Sequence, residues 1–196
     1  MFNPRTALLT AFALLAFAGN SLLCRAALAN TGIDPASFTT LRLLSGAVVL
    51  WLIVLLRGGA LVGSGSWLSA SALFAYAAGF SFAYVQLPAA TGALILFGAV
   101  QMTMIGHGIW SGERLGNLQI AGLLLACGGL VALLLPGLST PPMASALLML
   151  GAGIAWGIYS LRGKNAGDPL KVTAGNFLRA TPIALGLSLL ISDSVS

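Results

Sequence analysis

Few residues in this sequence can do chemistry, and most of them stand alone in apolar runs. Arg42 sits in Thr39-Thr-Leu-Arg-Leu43 and Arg179 in Asn176-Phe-Leu-Arg-Ala180, each about two turns into a hydrophobic stretch. A charge at the bilayer centre costs about 2.5–3.5 kcal/mol on insertion scales, whereas one near the interface snorkels its stem outward. Two readings stay open for these arginines: snorkelling residues, or a pair of gate or anion-attracting groups, one for each face. Asn20 and Gln101 fall near the middles of apolar runs. Each is either a helix–helix hydrogen bond, worth about 0.6–2 kcal/mol, or a substrate contact. Tyr76, Phe80 and Tyr84 recur at four-residue spacing and share one helical face. They form either an aromatic packing ridge or the wall of a cavity for an apolar or aromatic solute. Trp156 and Tyr159 join this substrate-binding set because a repeat described below places them opposite Phe17 and Asn20.

Catalytic chemistry is not indicated. The sequence has Ser21 and a single His107, but no G-x-S-G, no paired membrane aspartates and no H-E-x-x-H. The chain is therefore read as a non-enzyme with no cofactor and no metal. His107 is read as an interface residue, with a proton relay as the alternative. Asp34, Glu113, Asp168 and Asp193 all fall in loops or at ends, so no carboxylate lies mid-membrane for proton or cation coupling. Cys24 and Cys127 lie in apolar runs and read as small packing residues. Gly122 with Ala126, Gly151 with Ala155, and Gly153 with Gly157 have the four-residue spacing of close helix contacts.

The elements that must hold these residues follow from composition. The chain is 58% hydrophobic and 7% charged, with a mean hydropathy of +0.99. A soluble domain carries about 25% charged residues, so this chain cannot clothe a water-facing surface. It reads as an all-α polytopic membrane protein, with the lipid bilayer as its first partner. The net charge of +5 comes from basic residues scattered singly at the ends of apolar runs, which argues against nucleic acid. Seven spans approach the roughly 20 apolar residues needed to cross a bilayer: 7–29, 36–56, 67–87, 90–110, 119–136, 143–161 and 174–191. Ala27-Leu28-Ala29 imitates a signal-peptide cleavage site, but the apolar run is too long and Arg25 too close, so the first span is taken as retained. With the N-terminus cytoplasmic, Arg5, Arg57, Arg114, Arg162, Lys164 and Lys171 all lie inside and the outer loops hold no Lys or Arg. Trp67 and Trp110 then sit at the inner interface. The expected location is the cell membrane, which is the inner membrane if the cell is Gram-negative.

An internal repeat organises the spans. Ala16-Phe-Ala-Gly-Asn-Ser-Leu-Leu-Cys-Arg25 lies over Ala155-Trp-Gly-Ile-Tyr-Ser-Leu-Arg-Gly-Lys164, and Thr39–Leu43 lies over Asn176–Ala180. Both connections contain Asp-Pro, at Asp34-Pro35 and Asp168-Pro169. Five helices separate the copies, and an odd number makes the second copy enter from the opposite face, as in an inverted-topology repeat.

With this repeat, and with Gly112-Glu-Arg-Leu-Gly-Asn-Leu-Gln-Ile-Ala-Gly through Cys127-Gly-Gly-Leu130, the chain resembles the EamA branch of the drug/metabolite transporter superfamily. That stretch is similar to the family's gE-r-l…q-x-x-G…G pattern entering the fifth helix. The resemblance implies two inverted five-helix repeats: residues 1–137 as a complete first repeat and 138–196 as a partial second one (helices 6 and 7). It implies a permease that moves a small metabolite or amino-acid-like solute by alternating access, with export the common direction. It also marks Glu113 as a family feature. A complete member has ten helices, so the competing expectation is a truncated or split permease without autonomous transport. Such a fragment needs self-association or a partner that supplies helices 8–10.

Overall fold

The computed structural model describes residues 3–59, 64–134, 141–164 and 166–195, and these form seven α-helices. They are α1 (Pro4–Asn30), α2 (Pro35–Leu56), α3 (Trp67–Tyr84), α4 (Ala89–Trp110), α5 (Asn117–Leu134), α6 (Met143–Gly163) and α7 (Pro169–Val195). All seven expected spans are present as helices. The 137/138 boundary between repeats lies outside the described residues.

Among the helix ends that differ from the expected ones, two have a clear local cause. Helix α3 stops at Tyr84 rather than near 87, because the N–H groups of Gln86 and Leu87 both return to the Ala83 carbonyl just before Pro88. Proline disfavours helical geometry in the residue before it, so the chain turns there. Helix α7 starts at Pro169 rather than 174. Asp168 Oδ1 accepts from the N–H groups of Leu170 (3.0 Å) and Lys171 (3.5 Å), an N-cap followed by proline at the first helical position. Asp34 does the same for α2, accepting from Ala36 (3.0 Å) and Ser37 (2.8 Å). Pro182 lies inside α7, as expected, and the helix continues through it.

Five helices (α1, α2, α4, α6 and α7) are long and apolar enough to cross a membrane. Their outward faces carry large apolar side chains, such as Leu14 at 63% exposure and Leu23 at 73%. Surfaces of this kind belong in lipid, and the chain is a multi-pass membrane-embedded protein. The central helix is α3, which packs against α1, α2, α4, α6 and α7, most extensively against α6. Its surroundings are protein rather than lipid, which explains its polar content: Ser69, Ser81 and Tyr84 are all buried. At the periphery, α5 contacts only α4 among the more substantial helix pairs, and the first half of α1 is exposed throughout.

Close helix contacts form at some of the expected small residues and not at others. A Cβ on Gly153 would meet the Ala99 Cβ at 2.5 Å and the Leu96 carbonyl oxygen at 2.6 Å, and one on Gly157 would meet Thr103 at 2.8 Å. Those two glycines let α6 lie directly on α4. Gly151 and Gly122 have no such neighbour, so their pairs with Ala155 and Ala126 are not close contacts. Gly46, not singled out from spacing, admits the Phe177 ring between α2 and α7.

Candidate functional site

The structure brings most of the chemistry-bearing residues to one place, the space between α1, α2, α3 and α6. Tyr76, midway along α3, is its hub. Its ring lies 4.5 Å from the Trp156 centroid and 5.4 Å from that of Phe80, and Trp156 continues to Tyr159 at 5.5 Å. From α1, Asn20 comes beside the Tyr76 hydroxyl, and its Oδ1 takes a 3.6 Å contact from the Cys24 thiol. From α2, Arg42 also comes beside the Tyr76 hydroxyl. Two positions one helical turn apart on α3, two each on α1 and α6, and one on α2 thus converge because α3 is enclosed by its neighbours.

Arg42 is the unusual member. Its guanidinium carbon stands 4.9 Å from the Phe80 ring centroid and 5.6 Å from that of Phe38. Such cation–π contacts contribute about 0.5–2 kcal/mol, most where water is excluded. Among the described residues, the Arg42 Nη1 and the Thr40 hydroxyl are buried with no hydrogen-bond partner. Phe38 was not among the sequence candidates. Its signal was available as an aromatic one helical turn before an intramembrane arginine.

Three candidates fall outside this cluster or have a different part in it. Gln101 is exposed on α4, where it lines an apolar groove of about 760 Å³ between α4 and α5 together with Leu94, Phe97 and Cys127. Tyr84 is fully buried, with its ring against Gly92 and its hydroxyl donating to the Ala89 carbonyl at 3.2 Å. It is a packing residue at the end of the aromatic ridge. Arg179 lies at the junction of α7 with residues 64–66. It donates to the carbonyls of Ser64 and Gly175, while the buried Asn176 accepts from the Ser66 N–H at 2.9 Å.

The other cations mostly tie helix ends. Arg25 donates to the carbonyls of Tyr84 (2.9 Å) and Val85 (3.0 Å), satisfying the end of α3. Arg162 donates to the Ser69 hydroxyl at 3.0 Å beside the N-cap of α3. With Ser66, Asp168 and Lys171 it lines a polar cavity of about 460 Å³ at that end of the bundle. His107 is exposed and lies 3.4 Å from the Ser111 hydroxyl. Glu113 packs its carboxylate beside Gly108, and Gln119 Oε1 accepts from the Gly116 N–H at 2.8 Å. Within the family-like stretch, the glutamine therefore starts α5.

The chain is similar to an uncharacterized protein of Pseudomonas aeruginosa, with 60% identity over 185 residues, covering 94% of this chain and 64% of the relative. The chain thus spans just under two thirds of that relative's length. No protein-family model matches it, and no solved structure matches it.

Proposed function

We propose that this chain is part of an EamA-type permease of the drug/metabolite transporter superfamily. In this reading it is built from inverted repeats and moves a small metabolite or amino-acid-like solute across the cell membrane, in the direction of export. The observation that carries the reading is the convergence of Asn20, Arg42, Tyr76, Trp156 and Tyr159 from four helices. Polar and ionisable groups inside a membrane bundle are costly and mark solute pathways by default, and transporter sites form near the middle of the membrane where repeats meet. Because the chain spans 64% of its relative, the activity is proposed for the complete protein, including any helices that complete the second repeat.

Transport assays of the complete protein in sealed vesicles test this. Saturable movement of at least one solute from a metabolite panel, reduced about tenfold or more by Tyr76→Ala or Trp156→Ala at equal protein level, is the expected result. Saturable transport left intact by both substitutions would show that the pathway lies elsewhere.

A further inference from the structure

Arg42 is held in a way that leaves part of its chemistry unused. A guanidinium has five in-plane N–H donors and no acceptor. The Phe38 and Phe80 rings stand 5.6 and 4.9 Å from its central carbon and the Tyr76 hydroxyl lies beside it, and these contacts do not engage all five donors. Nη1 is shielded from solvent and has no acceptor among the described residues. A buried donor without a partner costs about 1–3 kcal/mol, more when it is charged. Among the described residues, no acidic side chain pairs with it. Asp34 and Asp168 cap α2 and α7 at the helix ends, Glu113 follows α4, and Asp193 lies in the last turn of α7. Asp34 is eight residues before Arg42 on the same helix, about 12 Å along the axis at 1.5 Å per residue. The bundle therefore carries an uncompensated positive charge beside a file of aromatic rings, Phe80, Tyr76, Trp156 and Tyr159.

We propose that Arg42 is the anion-recognition group of the solute site, and that the solute is a carboxylate-bearing molecule with a flat, apolar body. The carboxylate accepts from the guanidinium edge, with the Tyr76 hydroxyl and Asn20 amide as neighbouring donors, while the body stacks along Tyr76 and Trp156. A charge-assisted hydrogen bond is about twice as strong as a neutral one, so charge is the property this site selects. The inference rests on the proposed solute site and adds to it the sign of the solute's charge.

Trp156 offers a reporter. Trp51, Trp67 and Trp110 are 44%, 61% and 91% exposed, and replacing all three with Phe in the complete protein leaves Trp156 as the emitter on this chain. The probes are 4-nitrobenzoate and its neutral counterpart 4-nitrobenzamide, both quenchers of indole fluorescence, titrated in detergent or nanodiscs. The expected result is saturable quenching with about tenfold tighter binding of the carboxylate, close to 1.4 kcal/mol. Arg42→Gln should bring the two probes within about twofold, and Arg42→Lys should retain part of the preference. Equal binding of both probes by the unsubstituted site, or a full preference kept in Arg42→Gln, overturns the charge assignment and leaves the solute site standing. Saturable quenching by neither probe overturns both.

Discussion

Arg42 and Arg179 fall at matching places in the proposed repeat, yet their surroundings are opposite. Arg179 spends its donors on the backbone carbonyls of Ser64 and Gly175 and fastens α7 to the segment before α3. Arg42 has two aromatic rings within 5.6 Å of its guanidinium carbon and no acceptor at Nη1. A shared Leu-Arg pattern some two to three turns past an Asp-Pro helix start does not choose the partners of the two arginines. Partners depend on what the neighbouring helices present: a loop with free carbonyls at one site, a column of rings at the other. The first arrangement is built for stability. The second holds a charge in reserve.

The contrast predicts a graded series of stability losses, measured by reversible unfolding in detergent–dodecyl sulfate mixtures and followed by helical circular dichroism. The largest is Gly175→Leu. Any Cβ there collides with the Ser64 carbonyl, so α7 must shift off residues 64–66, at a cost of about 3 kcal/mol. Next is Arg179→Met, which leaves the Ser64 carbonyl without its charged donor and should cost about 2 kcal/mol. If Arg179→Met unfolds like the unsubstituted protein, the fastening role is wrong and the two arginines are more alike than they look.

A smaller effect belongs to the cap of the helix that carries Arg42. Removing it in Asp34→Ala should cost about 1 kcal/mol. The Asp34 carboxyl is held below its ordinary value of 3.8, chiefly by hydrogen bonding from the Ser37 side chain, which outweighs the opposing desolvation, with the N–H groups of Ser37 and Ala36 adding to it. Its folded pKa lies below the unfolded one. The contribution is therefore complete above about pH 4 and is lost as pH falls through the folded value. Unfolding measured at pH 7 and pH 3 should show a smaller Asp34→Ala penalty at the lower pH.

Arg42→Met gives the smallest stability change, within about 1 kcal/mol and of either sign, because it removes a buried charge while filling the same space. The same variant should abolish discrimination between anionic and neutral solutes. A loss of 2 kcal/mol or more in Arg42→Met would make Arg42 a structural residue like Arg179 and erase the comparison.

Much of the site was legible beforehand. Four-residue spacing put Tyr76, Phe80 and Tyr84 on one face of α3, and the repeat pointed to Trp156 and Tyr159. What spacing could not resolve was which of these residues join the cluster around Tyr76 and which only pack. Tyr84 and Phe80 share that face, but α4 comes close at Gly92 and seals Tyr84 into the core. Gln101 looked like Asn20 by position in its helix. It points instead into the groove beneath α5, a difference set by the rotation of α4 against α6 through Gly153 and Gly157.

Composition and hydropathy determined that the chain lives in a membrane and where its helices run, because burial in lipid requires long apolar segments whatever their neighbours. Asp-Pro capping was equally local, so both α2 and α7 begin where their short-range hydrogen bonds dictate. The partners of each polar side chain came only from the tertiary structure. A helix shows residues on all its faces, and the sequence does not state which neighbour each face will meet. For Arg42 that neighbour is a stack of aromatic rings with no acid in reach, and this is where the case for an anionic solute begins.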